Sequence, residues 1–174
     1  MTKIYIMGPV GSGKTTLSKK LSNKYSIPRY ELDKVVWDDD HGNIKRKDKE
    51  ALRIFNEIIK NDSWIIEDVG RSKFIKGREE ADIIYYIKLS RIKSYIRVTK
   101  RWIKQTLRIE TYNHPPTFKQ LTYFISTVNE YYKKEKQKIK SLEEYKHKLI
   151  FINKKIIKKI IKEKEYEQIY GSST

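Results

Sequence analysis

Cysteine is absent from this chain of 174 residues. That removes a disulfide framework and any thiolate metal site, and makes a reducing cytoplasm the expected setting. No apolar run reaches membrane-spanning length; the longest are short stretches such as Ile83 to Ile87. The opening residues lack a basic segment, a long apolar core and a cleavage site, so no secretory signal is expected. Internal repeats and linkers are missing too, and the length suits one domain, 1–174, large enough to bury a core. Acidic residues are the minority, 22 Asp and Glu against 39 Lys and Arg, for a formal charge of +17. The lysines spread along nearly the whole chain, which reads first as a solvated surface and second as a polyanion-binding one. Either way the field attracts nucleotides.

Against these absences stands one specific motif. Met7 to Thr16 reads Met-Gly-Pro-Val-Gly-Ser-Gly-Lys-Thr-Thr and follows the apolar run Ile4, Tyr5, Ile6. It fits the phosphate-binding pattern GxxxxGK[ST] with Gly8, Gly13, Lys14 and Thr15 in register. Glycine is needed because backbone N–H groups must turn inward around phosphate oxygens, at dihedrals a Cβ would obstruct. The following helix aims its positive N-terminal end at the same anion. Gly8, Gly11, Ser12, Gly13, Lys14, Thr15 and Thr16 are therefore the expected nucleotide cradle. Lys14 is placed on the β- and γ-phosphates, the Thr15 hydroxyl on Mg²⁺, and Thr16 at the helix start or the α-phosphate.

Short β-like runs alternate with helical segments, the pattern of a parallel sheet with crossover helices. Strands are expected at 3–7, at 28–32 after Pro28, and at 63–67, 82–89 and 148–152. Helices are expected at 14–24 and 47–60, then two long ones at 90–109 and 117–142. The last of these carries Leu121, Ile125, Val128, Tyr132, Ile139 and Leu142 near heptad spacing, read as a packing stripe. Residues 153–165 form an amphipathic closing helix expected to dock on the sheet rather than on a membrane. The tail 171–174 is expected to fray.

Other chemistry belongs at the carboxyl ends of strands beside the loop. Glu31-Leu-Asp33 with Trp37 offers a carboxylate to accept a proton from an acceptor hydroxyl, or merely to cap a helix. Asp38, Asp39, Asp40 and His41 read as an exposed acidic loop. Trp64-Ile-Ile-Glu67-Asp68 ends an apolar strand in two acids, one of which can order the Mg²⁺ shell. Arg71 either holds an acceptor anion or pairs with those acids. Arg97, Arg101, Lys104 and Arg108 fall on one helix face, with Ile92, Ile96, Ile103 and Leu107 expected to be buried on the opposite one. A row of guanidiniums facing the loop suits phosphoryl transfer, which needs charge neutralised in bidentate geometry.

Taken with Ile4 to Leu17, Tyr30-Glu-Leu-Asp33 with Trp37, Trp64-Ile-Ile-Glu67, Ala81-Asp-Ile-Ile, and Arg97 and Arg101 before Trp102, the chain resembles the adenylate kinase-like and shikimate kinase-like P-loop kinases. Within them it is similar to the small topology modulation (FlaR-type) proteins. The resemblance implies an α/β, three-layer fold with a five-stranded parallel sheet in order 2-3-1-4-5, and a small helical lid at about 97–120. It implies ATP with Mg²⁺ as donor, Arg97 on the adenine and Arg101 on phosphates. The segment Glu67-Asp-Val-Gly-Arg71 departs from the Asp-Gly-x-Pro-Arg of nucleoside monophosphate kinases and weighs against an ordinary nucleotide acceptor. Ile87-Lys-Leu-Ser90 departs from Leu-Asp-x-Pro, and 106–116 holds no long lid.

The expected activity is transfer of the ATP γ-phosphoryl group to a hydroxyl or phosphate acceptor. Lys14, Asp33, Arg97 and Arg101 form the catalytic set, with Thr15 and Glu67 on the metal. The expected partners are a nucleotide and a small-molecule acceptor, with no membrane. The alternatives are a nucleotide-dependent DNA-associated protein, suggested by the charge and the FlaR-type resemblance without a helix-turn-helix signature, and a nucleotide-binding regulator that no longer catalyses.

Overall fold

A computed structural model describes residues 1–38, 44–110 and 116–160. In chain order the elements are β1 (Lys3–Met7), α1 (Lys14–Tyr25), β2 (Arg29–Glu31), α2 (Leu32–Val36), β3 (Trp37–Asp38), β4 (Ile44–Lys45), α3 (Asp48–Ile59), β5 (Trp64–Asp68), α4 (Ile75–Glu80), β6 (Ile83–Ile87), α5 (Arg91–Thr106), α6 (Phe118–Lys133), α7 (Glu135–Lys140) and β7 (Leu149–Ile152). β3 and β4 form a separate antiparallel ribbon. The other five strands make one parallel sheet, β2-β5-β1-β6-β7. Counted without the ribbon, this is the expected order 2-3-1-4-5.

Strand alternation sends successive side chains to opposite faces, and both faces are covered. Ile4, Ile6, Ile65, Ile87 and Ile152 face Leu17 and Leu21 of α1, joined by Ile156, Ile157 and Ile160. Residues 154–160 are helical, so the closing segment docks on the sheet as far as it is described; Ile161 to Thr174 lie outside the described residues. On the other face Tyr5, Met7, Trp64, Ile66, Ile84 and Tyr86 meet Phe55, Ile58 and Ile59 of α3, with Phe74, Leu142 and Tyr145. The same alternation parts the two acids that end β5. Glu67 follows Ile65 toward α1, and Asp68 follows Ile66 toward Tyr5.

Two helical expectations need correction. The expected helix 117–142 breaks at Lys134, whose φ of −102° and ψ of 1° leave the helical region. A straight helix would carry its last turns away at about 1.5 Å per residue. The break instead lets Ile139 pack against the core and buries Leu142 within it. The second correction concerns α5. Its buried side chains are Ser94, Val98 and Gln105, whereas Ile92, Ile96, Ile103 and Leu107 are exposed. α5 packs on α6 and on the loop after β1 through its small and polar face, because Ser94 Oγ donates to Val10 O at 2.9 Å and sits 3.1 Å from Tyr132 Oη. The apolar stripe therefore points away.

Candidate phosphate and acceptor site

The loop between β1 and α1 owes its course to positive dihedrals. Gly11 has φ +76° and Gly13 has φ +102°. Gly13 is also the N-cap of α1, with no side-chain cap. The first-turn N–H groups of Lys14, Thr15 and Thr16 therefore have no intrahelical partner. A Cβ on Gly8 would come within 2.9 Å of Ile87 O and 3.1 Å of Ser12 Oγ. Ser12 Oγ is buried and has no hydrogen-bond partner among the described residues. An orphaned hydroxyl in a cradle that a Cβ would fill fits a phosphate group.

Lys14 folds over the loop, its Nζ donating to Gly8 O at 3.0 Å and Pro9 O at 2.9 Å. Burial lowers its pKa from the usual lysine value, against the opposing pull of Asp33, Glu67 and Asp68. Arg97 comes down from α5 on the outer side. Its Nη1 donates to Gly11 O at 2.8 Å and Ser12 O at 3.2 Å. Of the four basic residues placed on one face of that helix, Arg97 reaches the loop. Arg101 is exposed and pairs with Glu110 at 3.6 Å. Lys104 is exposed, and Arg108 lies beyond the helix at φ +56°.

Beneath the loop, Thr15 Oγ1 donates to Glu67 Oε2 at 3.0 Å. Glu67 is buried, and burial followed by the neighbouring Glu31 raises its pKa to about 7, against Lys14, the Thr15 hydrogen bond and Arg29. The parallel register sets Glu31 beside Glu67. Arg29 bridges them, with Nη1 2.7 Å from Glu31 and 3.4 Å from Glu67. Sequence reading passed over Arg29; its signal is the period-two spacing Arg29–Glu31 on a strand.

The second carboxylate builds a different corner. Asp68 accepts from Tyr5 Oη at 3.2 Å and from the Arg71 backbone N–H at 2.5 Å. The Arg71 side chain bridges Asp68 and Asp33. Burial disfavours the Arg71 charge, but Asp68 and Asp33 outweigh it and raise the guanidinium pKa further. Asp33 is the open end of this chain, with 65% of its side chain exposed. It lies in α2, a short helix that begins immediately after β2. Trp37, expected to pack on an acceptor, is partly buried against the core below α2. Asp38 pairs with Arg46 at 3.0 Å; Asp39, Asp40 and His41 lie outside the described residues.

Lys138 of α7 also belongs here and had not been singled out. Its Nζ donates to Val69 O at 2.9 Å and Gly70 O at 2.6 Å. Burial lowers its pKa, with Arg71 and Arg78 adding to the effect and Asp68 opposing it. One lysine among many at the end of a helical run carries no sequence signal.

No protein-family profile matches the sequence, and no curated protein sequence does either. Solved structures do match. Shikimate kinase from Acinetobacter baumannii in complex with shikimate aligns over 100% of this chain and 96% of its own, at TM-score 0.61 and 13% identity. Shikimate kinase from Bacteroides thetaiotaomicron aligns over 97% and 98%, at 0.61 and 14%. A gluconokinase from Sinorhizobium meliloti aligns over 99% and 98%, at 0.54 and 16%. The fold is thus the shikimate kinase-like P-loop NTPase fold; at these identities the likeness is one of fold.

Proposed function

We propose that this protein is a small-molecule kinase that transfers the ATP γ-phosphoryl group to a hydroxyl or phosphate acceptor. The observation that carries the reading is the Thr15–Glu67 hydrogen bond beneath a glycine cradle, with Lys14 above it and the Asp33–Arg71–Asp68 chain across the strand ends. Among the described residues no three His, Asp or Glu side chains converge as a standing metal site. A divalent ion would be held jointly by Thr15, Glu67 and the phosphates. Mg²⁺·ATP supplies the phosphoryl group and the cation that neutralises its β- and γ-oxygens.

The chain's own groups then have separable tasks. The loop amides and the Ser12 hydroxyl hold phosphate oxygens, and Lys14 leaves the Gly8 and Pro9 carbonyls to meet them. Arg97 buttresses the loop from outside and borders the nucleotide. Arg101 exchanges Glu110 for the phosphates, the role the resemblance gives it; residues 111–115 of the expected lid lie outside the described residues. Asp33 orients the acceptor hydroxyl and takes its proton, while Arg71 and Lys138 line the acceptor's other side. The DNA-associated alternative of topology modulation type draws on the charge of +17 and the FlaR-type resemblance.

The deciding experiment is single-turnover ADP release from Mg²⁺·ATP over nucleosides, nucleoside monophosphates, sugars and shikimate-like alcohols. Release is expected with one acceptor class. Lys14→Ala should reduce it on the order of 10²-fold or more, since it removes a charge preorganised for the transferring group. No release with any acceptor would leave a nucleotide-binding regulator.

A further inference from the structure

The stripe on α5 is the feature that the kinase reading does not use. Ile92, Ile96, Ile103 and Leu107 are 71%, 48%, 44% and 62% exposed. Their spacing of four, seven and four residues places them on one line of the helix. At about 100° per residue that line lies opposite the buried face of Ser94, Val98 and Gln105.

Within α5 itself the charge has one sign. α5 carries Arg91, Lys93, Arg97, Lys100, Arg101 and Lys104 and no acidic residue. From the start of α5 to the end of α6, residues 91 to 133, the sequence holds nine Lys and Arg against two acids, Glu110 and Glu130. Lys93, Lys100 and Lys104 border one edge of the apolar line. A second copy of this helix laid on the first would bring two sets of cations together without an acid between them. Nucleic acid would satisfy the cations but leave the aliphatic side chains in water.

We infer that the outward face of α5 is a docking surface for an anionic lipid bilayer. A helix lying in the interface immerses its apolar line in the acyl boundary while lysine heads reach the phosphates. Neither signal suffices alone, since aliphatic burial and basic attraction each give weak, reversible attachment. Among the described residues no helix is long and apolar enough to cross a membrane, so the attachment is peripheral. This inference is independent of the phosphotransfer reading, because the loop contacts of Arg97 lie on another side of the helix.

The test is flotation of the full chain with vesicles of phosphatidylcholine alone or with phosphatidylglycerol added, from low to physiological salt. Flotation is expected with the anionic vesicles and not with the neutral ones. Ile96→Ser/Ile103→Ser should weaken it about tenfold or more while leaving the urea midpoint and nucleotide binding unchanged. Lys93→Gln/Lys100→Gln/Lys104→Gln should also weaken it, whereas Ile44→Ser, at an exposed residue elsewhere, should not. Flotation indifferent to the isoleucine variants would mean mere adsorption of a basic protein and would overturn the proposal. So would no flotation with anionic vesicles, which leaves the stripe to an acidic protein partner, or a wild-type dimer that the isoleucine variants dissociate.

Discussion

Glu67 shows how much one side chain's surroundings decide. Its carboxyl is buried against Glu31 and titrates at about 7 instead of its ordinary 4.5. The folded chain therefore binds more protons than the unfolded chain between those two values, and stability falls as pH rises through that window. The loss is complete above about pH 7 and amounts to roughly 3 kcal/mol. Urea midpoints of the ligand-free protein should fall from pH 5 to pH 8, and Glu67→Gln should flatten the profile. A variant as pH-dependent as the wild type would show that another group carries the effect. Asp33 poses the complementary case. Asp33→Asn keeps the shape but removes the charge that meets Arg71 and the proposed acceptor hydroxyl. Transfer should drop on the order of 10²-fold or more while ATP binding persists; full transfer by this variant would remove Asp33 from the mechanism.

At the scale of elements, α4 packs closely on the core. Gly77 lies in α4, and a Cβ there would stand 2.9 Å from Tyr5 Cε2 and 3.0 Å from Phe55 Cζ. Alanine would raise helix propensity by about 1 kcal/mol, but overpacking against two core rings costs about 1–3 kcal/mol. Gly77→Ala should therefore lower the urea midpoint, and an unchanged or higher midpoint would show that the rings yield freely. This packing matters to the site because Tyr5 also donates to Asp68. The break at Lys134 has a similar consequence, since α7 then carries Lys138 to the carbonyls of Val69 and Gly70. Helical periodicity located α5 and α6 but reported only amphipathicity. Which face of α5 is buried was decided by its neighbours, where Ser94 meets Val10 and Tyr132.

For the whole molecule the dominant quantity is charge. A protein at +17 will bind DNA weakly in dilute buffer whatever its biological role. That binding should collapse between about 50 and 200 mM salt and show no sequence preference if counterion release alone drives it. Retention of a preferred sequence at physiological salt would restore the DNA-associated alternative. Binding of Mg²⁺·ATP at the loop should also raise the thermal midpoint in proportion to the logarithm of ligand excess over Kd, and Lys14→Ala should erase that rise.

The sequence by itself determined the alternation of strands and helices and the phosphate loop, while the strand order was implied by the resemblance to P-loop kinases and is seen in the sheet. Strand alternation, helical spacing and glycine placement are local constraints that each stretch of chain satisfies within a few residues. It also offered Glu67 and Asp33 as candidates, because carboxylates that end strands beside such a loop are already close to it. Only the tertiary structure decided how the charges pair: Glu67 with Thr15 and Arg29, Asp68 with Tyr5 and Arg71, Arg71 with Asp33. Those partners come from separate elements and meet through packing. It alone turned the isoleucines of α5 outward, because an amphipathic pattern fixes two faces of a helix and leaves the choice of the buried one to whatever the rest of the chain places beside it.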